Sequence, residues 1–176
     1  MLNKEKLFSG VYGLAVGDAL GVPVEFCSRE MLDRAPVEGM EAGGTHKQDK
    51  GTWSDDTSMV LATMDAMSAG GLSFGMVMEN FKRWITEAKY TATGLVFDVG
   101  GTTSASIQNY MRGEPLELCG FADERSNGNG SLMRMLPMVY YVYLKYGLEV
   151  NPLAVEQIYD LSGLTHAHIK IGRAHV

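Results

Sequence analysis

The sequence lacks several features that mark common classes of protein. Its net charge is −6, and its Lys and Arg residues form no cluster. A basic cluster is what neutralises nucleic-acid phosphates, so no nucleic-acid partner is expected. There are two cysteines, Cys27 and Cys119, and neither belongs to a ligand-like pair. We therefore predict two reduced thiols in a cytoplasmic protein.

Long hydrophobic runs are also missing. The apolar stretch near the N-terminus is interrupted by Gly10, Gly13, Gly17 and Asp18. This stretch is predicted to be too mixed for a signal peptide and too short to span a membrane, so no membrane partner is expected. The same residues predict a helix whose small side chains let another backbone approach closely. Asp18 lies at the end of its apolar face and needs a partner.

Clear strand alternation, linkers and repeats are missing too, while helical spacing of apolar residues runs through most of the chain. The predicted fold is therefore all-α, a compact single-domain helical bundle. The polar segment 28–51 is expected to be a surface loop over or beside a site. Helices are predicted over about 4–20, 55–69, 74–88 and 152–161, with others starting at Thr102 or Thr103 and near Ser131.

Two adjacent carboxylates open the second long helix, in the motif Trp53-Ser54-Asp55-Asp56-Thr57. One interpretation is structural: Ser54 caps the helix, and the aspartates complement its dipole. The other is a metal site, because three consecutive oxygen donors suit Mg²⁺ or Mn²⁺, and no Cys or His lies nearby in the sequence to favour zinc. The motif alone supports both interpretations about equally.

Other polar motifs also have two interpretations. Glu25 follows a helix end and can be solvated or can join Asp18. The loop Ser126-Asn127-Gly128-Asn129-Gly130-Ser131 can be a simple turn, which Asn-Gly pairs favour, or an anion site at a helix N-terminus. His166 and His168 are two residues apart and would point to different sides of a helix, so chelation by both is not expected.

The order of these motifs along the chain resembles the ADP-ribosylglycohydrolase family. The resemblance is carried by five segments: Gly17-Asp18-Ala19-Leu20-Gly21-Val22-Pro23-Val24-Glu25, Trp53-Ser54-Asp55-Asp56-Thr57-Ser58-Met59, Phe97-Asp98-Val99-Gly100-Gly101-Thr102-Thr103, Gly128-Asn129-Gly130-Ser131-Leu132-Met133-Arg134 and Leu164-Thr165-His166. It implies an all-α hydrolase with two Mg²⁺ or Mn²⁺ ions that cleaves the bond between ADP-ribose and an acceptor such as arginine or serine. The partner would be an ADP-ribosylated protein or a small ADP-ribose conjugate.

The resemblance also implies roles for single residues. The metal ligands would be Ser54, Asp55 and Asp56, where Ser54 keeps the hydroxyl of the family's more common Thr. Glu25 and Asp98 would be catalytic, with Glu25 acting as a ligand, gate or acid/base. Substrate binding would fall to Asp55 and His166 and to the loop residues Ser126, Asn127, Gly128, Asn129, Gly130 and Ser131.

The chain departs from the family pattern near its end. Family members have a later Asp-x-Asp-Thr motif that completes the metal site, and this sequence has none. Residues 171–176 match the translation of a common sequencing adapter, so we expect the native domain to cover 1–170 as the N-terminal part of a longer one. We therefore expect this form to be inactive. The alternatives are a non-catalytic ADP-ribose-binding module and a metal-dependent phosphohydrolase.

Overall fold

The computed structural model describes residues 2–149 and 151–175 and confirms the all-α prediction. Within that part of the chain, extended pairing is limited to two isolated bridges, Gly43 with Gln48 and Phe121 with His166. The α-helices are α1 Lys4–Gly21, α2 Arg29–Arg34, α3 Asp55–Ser68, α4 Phe74–Glu87, α5 Gly101–Met111, α6 Leu116–Cys119, α7 Leu136–Tyr146, α8 Pro152–Gly163 and α9 Ile169–Arg173, with short 3₁₀ helices at Val22–Val24 and Asn129–Arg134.

Helix α3 is the centre of the bundle. It packs against α1, α4, α7 and the 3₁₀ helix Asn129–Arg134. Met59 and Ala62 of α3 are fully buried, as are Phe81 and Trp84 of α4. Each of the large apolar side chains, Met59, Phe81 and Trp84, stabilises the fold by at least about 1.5–3 kcal/mol relative to exposure. The first turn of α3 is thereby held rigidly at one end of the core, which positions the residues described below.

Helix α1 differs from its prediction in two respects. With the following turn it forms a segment, Lys4–Val24, that is long and apolar enough to cross a membrane by length and composition, which corrects the expectation that it is too short. Core helices of soluble proteins and signal sequences meet the same criteria. Close approach of another element is confirmed at Gly10, where an added Cβ would lie 1.7 Å from the Tyr140 hydroxyl, but not at Gly13.

Three local predictions also need correction. The segment 28–51 contains helix α2, whose N-cap Ser28 accepts a hydrogen bond from the Met31 backbone N–H. Helix α5 starts at Gly101 without a side-chain cap, so neither Thr102 nor Thr103 caps it. The helix expected near Ser131 begins at Leu136, because a 3₁₀ helix precedes it and proline occupies its first turn.

Candidate active site

Asp18 joins the end of α1 to the beginning of α3. Its Oδ1 accepts hydrogen bonds from the backbone N–H of Ser54 at 3.0 Å and from the Ser54 hydroxyl at 2.7 Å. Its Oδ2 accepts from the backbone N–H of Thr57 at 3.0 Å and from the Thr57 hydroxyl at 2.6 Å. The first N–H groups of a helix have no intrahelical acceptor, so this carboxylate caps α3 from outside. The partner that Asp18 needs is therefore the first turn of α3.

Ser54 has two functions in this arrangement. It is the N-cap of α3, and its Oγ accepts a long hydrogen bond of 3.4 Å from the Asp56 backbone N–H. Because its proton is donated to Asp18, an oxygen lone pair is still available to a cation. The capping role and the metal-ligand role are thus compatible.

The first turn of α3 carries a buried carboxylate, Asp55, and a half-buried one, Asp56. Burial, followed by the charges of Asp56, Asp98 and Asp18, raises the pKa of Asp55 to about 8. Burial, followed by Asp18 and Glu25, raises the pKa of Asp56 to about 6. A structural cap would be expected to remain ionised, since the helix dipole favours the charged form. The electrostatics therefore favour a cation site.

A second group of side chains lies opposite α3. The His46 Nε2 is 2.6 Å from a Glu25 carboxylate oxygen and 3.5 Å from an Asp98 carboxylate oxygen. Burial, followed by hydrogen bonding to Glu25, raises the pKa of Asp98 to about 6. Asp98 has a left-handed backbone with φ of 55°, which Asp tolerates better than most residues. These three residues could together hold a metal ion.

Both groups face one cavity of about 420 Å³. Among the described residues that line it, none is Lys or Arg, and its walls are formed by Gly17, Asp18, Gly21, Val22, Glu25, Ser54, Asp55, Asp56, Asp98, Asn129, Gly130 and Met133. Hard oxygen donors around an uncompensated cavity fit Mg²⁺ or Mn²⁺. All the proposed metal ligands and both proposed catalytic carboxylates lie at this cavity.

His46 is the residue that the sequence reasoning missed. It lies in the segment expected to be a loop beside a site, but no motif singled it out. It brings a nitrogen donor into a site where sequence spacing predicted oxygen donors alone. Imidazole suits Mn²⁺ and later transition metals better than Mg²⁺, so its presence shifts the expected preference toward Mn²⁺.

Replacing His46 with alanine is expected to lower the affinity for Mn²⁺ by about 10–100-fold, the usual effect of removing a partner that orients a ligating carboxylate. His46→Gln retains a side-chain N–H donor and is expected to preserve most of the affinity for Mn²⁺. Isothermal titration calorimetry measures the change. His168→Ala is the matched control, because His168 also lies beside a glutamate, 3.6 Å from Glu124, but away from the cavity. Equal affinities for the alanine variant and the parent would rule out the role of His46.

The loop 126–131 has a different shape from the predicted one. Asn129 and Gly130 line the cavity, while the Ser126 hydroxyl donates to Asp123. The loop continues into a six-residue 3₁₀ helix, so the expected α-helix dipole is not available to an anion. Asn127 Oδ1 is buried and has no hydrogen-bond partner within the described part of the chain. The polar groups of this loop that remain available to a ligand are thus its backbone N–H groups and the Asn127 side-chain oxygen.

Ser131, the last residue of this loop, and His166, which packs against Gly130, are both buried. The Ser131 hydroxyl accepts from Ser162 at 3.0 Å and lies 3.1 Å from His175 Nε2, so it points away from the cavity. Burial, followed by the charge of Arg134, lowers the pKa of His166 to about 4. His168 is instead the N-cap of α9. His166 and His168 thus have different hydrogen-bond partners, as expected for side chains that point in different directions, although neither residue lies within a helix.

Comparison with known proteins identifies the family. The sequence model of ADP-ribosylglycohydrolase matches residues 2–174. The chain belongs to the ADP-ribosylglycohydrolase family. A solved structure, an ADP-ribosylglycohydrolase-related protein complex, superposes with a TM-score of 0.75 at 28% identity, covering 96% of this chain and 52% of that one.

Two curated relatives of this ADP-ribosylglycohydrolase family member have named activities. The ADP-ribosylarginine hydrolase Tri1 of Serratia proteamaculans is 32% identical over 76% of this chain and 36% of its own length. The ADP-ribosyl-[dinitrogen reductase] glycohydrolase of Rhodospirillum rubrum is 30% identical over 93% of this chain and 52% of its own length. The chain thus spans about a third to a half of the length of these relatives.

Proposed function

We propose that this protein hydrolyses the glycosidic bond between ADP-ribose and an acceptor side chain, with the help of bound divalent cations. The observation that carries the proposal is the cavity where Asp55, Asp56, Glu25 and Asp98 converge without a lysine or arginine among the described lining residues. The substrate would be an ADP-ribosylated protein or a small ADP-ribose conjugate, in line with the names of the two relatives.

The cation would be held by Ser54, Asp55 and Asp56, with Glu25 and His46 beside them. When bound, a Mg²⁺ or Mn²⁺ ion polarises substrate hydroxyls and activates water. Asp18 holds the Ser54 hydroxyl and the α3 N-terminus in place for this purpose. The fit rests on the donor chemistry, because buried carboxylates with raised pKa values gain most from a nearby cation.

Proton transfer is assigned to Glu25 and Asp98. Asp98 has a pKa of about 6, so it exchanges a proton readily near neutral pH, and Glu25 is hydrogen-bonded to it and to His46. Cleavage of a glycosidic bond develops positive charge on the ribose ring. The surrounding carboxylates stabilise that charge without having to move.

The loop residues Ser126, Asn127, Gly128, Asn129 and Gly130 are assigned to the diphosphate and distal ribose of ADP-ribose. Asn129 and Gly130 already line the cation cavity, so a ligand on this loop would place its proximal ribose beside the carboxylates. Ser131 supports the loop from below through its contact with Ser162. His166 would contact the nucleotide.

Because the chain spans about half or less of the relatives' length, we also propose that these acids are one half of a two-cation site. On its own the chain is then expected to bind one cation tightly and, as predicted from the sequence, to be inactive or nearly so as a hydrolase. Calorimetric titration with Mn²⁺ tests this, with Asp55→Asn/Asp56→Asn as the variant that should lose binding. Two tight sites would contradict the half-site proposal, and no binding would contradict the cation site.

The reaction itself is tested with ADP-ribosyl-arginine and ADP-ribosyl-serine peptides, assayed beside a phosphoester and beside the Rhodospirillum rubrum relative. Release of ADP-ribose from either peptide supports the proposal. Faster hydrolysis of the phosphoester would indicate a phosphohydrolase instead.

A further inference from the structure

Arg134 is a charged residue that the proposed reaction leaves without a role. Its side chain is completely buried, with the guanidinium 4.9 Å from the centre of the Phe81 ring. Its Nη2 donates to the Leu161 carbonyl at 3.1 Å and to the Thr165 hydroxyl oxygen at 2.8 Å. Its Nε and Nη1 have no partner among the described residues. A buried guanidinium is costly, so its contacts require an explanation.

The hydrogen bond from Arg134 determines the group to which the Thr165 hydroxyl donates its own proton. A guanidinium can only donate hydrogen bonds, so the Thr165 oxygen accepts from Arg134. The oxygen has a second lone pair, but among the described residues its proton has no acceptor other than His166 Nδ1, at 2.8 Å, so the hydroxyl donates there. Nδ1 is therefore the acceptor nitrogen, and the single proton of the neutral imidazole lies on Nε2.

The protonated edge of His166 faces the glycine loop. A Cβ added at Gly130 would lie 2.9 Å from His166 Cε1 and 3.3 Å from Nε2, and one added at Gly128 would lie 3.8 Å from Nε2. The other side of the ring borders a separate cavity of about 500 Å³. Only glycine at position 130 leaves room for the ring. The Nε2–H is thus placed beside the backbone of the loop assigned to the diphosphate.

We propose that Arg134 and Thr165 are positioning residues that fix His166 as the Nε2–H tautomer, so that it donates a hydrogen bond to a diphosphate oxygen of ADP-ribose on the 126–130 loop. This inference rests on the proposed function for the identity of the ligand. The tautomer itself depends only on the hydrogen-bond chain within the protein. The ring is buried beside the Arg134 guanidinium, which disfavours its cationic form.

The tautomer is tested by ¹⁵N NMR of the chain at pH 7, with ring nitrogens distinguished by their couplings to the ring protons. His166→Asn assigns the signals, since the chain has four histidines. The expected result is protonation at Nε2 in the parent and in Thr165→Ser. Thr165→Val, which has the same shape but no hydroxyl, is expected to give a mixture or the Nδ1–H form. Protonation at Nδ1 in the parent would overturn the proposal, whether or not the variants fold.

Ligand binding is measured separately by calorimetry with ADP-ribose. Thr165→Val is expected to lower the affinity about 3–10-fold, the effect of losing one well-oriented hydrogen bond, while Thr165→Ser retains it. Thr63→Val is the matched control, because Thr63 is equally buried and its hydroxyl bonds only to Met59 of its own helix. Equal affinities for Thr165→Val and the parent would overturn the positioning role. No ADP-ribose binding by a parent with the Nε2–H form would overturn the ligand assignment and the proposed function, but not the tautomer.

Discussion

Replacing Asp18 with alanine is expected to lower the free energy of unfolding by about 3–5 kcal/mol. The substitution removes the acceptor for two backbone N–H groups and two hydroxyls of Ser54 and Thr57. Hydrogen bonds to a charged group contribute about 1.5–3 kcal/mol each, and donors left buried without an acceptor add a further cost. Part of the loss is offset, because Asp18 also repels Asp55 and Asp56.

Asparagine is not a conservative substitute at this position. Both oxygens of Asp18 accept hydrogen bonds, and the Ser54 backbone N–H is shared between them, whereas an amide offers one oxygen and turns its NH₂ toward the donors of the other. Asp18→Asn should therefore lose at least half of the effect of the carboxylate. Urea denaturation in the absence of divalent cations gives both values. Asp65→Ala is the control on the same helix: Asp65 is exposed and accepts from Lys89 and from the Tyr90 hydroxyl at the surface, and its loss is expected to cost about 1 kcal/mol. Similar losses for Asp18→Ala and Asp65→Ala would show that Asp18 is not the cap of α3.

Replacing Asp55 with asparagine is expected to have two opposite effects. The pKa of Asp55 is raised to about 8, so between about pH 4 and 8 the folded protein binds a proton that the unfolded chain has released. Stability of the cation-free parent therefore falls as the pH rises through this window. The shift of about four pKa units, at about 1.4 kcal/mol per unit, sets an upper bound of about 6 kcal/mol; because the cavity relaxes and hydrates around the ionised group, Asp55→Asn should stabilise the cation-free protein at pH 8 by about 2–4 kcal/mol. The substitution should also reduce the change in the free energy of unfolding between about pH 4 and 8.

The same substitution removes a proposed cation ligand. Its Mn²⁺ affinity should fall by more than the 10–100-fold that loss of an outer partner usually causes. Thermal unfolding from pH 5 to 8, with and without Mn²⁺, measures both effects. Asp56→Asn is the internal comparison and should show a smaller gain in stability, since the pKa of Asp56 is raised only to about 6. A protein that becomes more stable from pH 5 to 8 without cations would contradict the buried, uncompensated state of Asp55.

The sequence predicted the long helices because their apolar residues recur at helical spacing. The boundaries of α3 and α4 agree with prediction within one residue, and Ser54 caps α3 as its structural interpretation required. These features are local, so a single sequence contains the necessary information. The same reasoning placed Asp18 at the end of an apolar face and required a partner for it. The partner is present, but Leu7, Val11 and Leu14 of that face are only half-buried.

The contacts that build the site depend on distant segments and were less predictable. His46 reaches Glu25 across 21 positions, and Arg134 reaches Thr165 across 31. No periodicity encodes such pairs. An α-helix was expected from near Ser131, whereas a 3₁₀ helix occupies Asn129–Arg134. Pro137 then lies in the first turn of α7, where its missing N–H needs no acceptor.

The carboxylates at the cavity come from four separate segments between Asp18 and Asp98, so they meet only when the chain has folded. A cation that binds this cavity has no comparable site on the unfolded chain, and its binding free energy adds directly to the stability of the fold. At a free concentration 100 times its dissociation constant, such an ion contributes about 2.7 kcal/mol. The fraction of folded protein should therefore follow the supply of free Mn²⁺ or Mg²⁺, and the melting temperature can serve as a direct measure of cation occupancy.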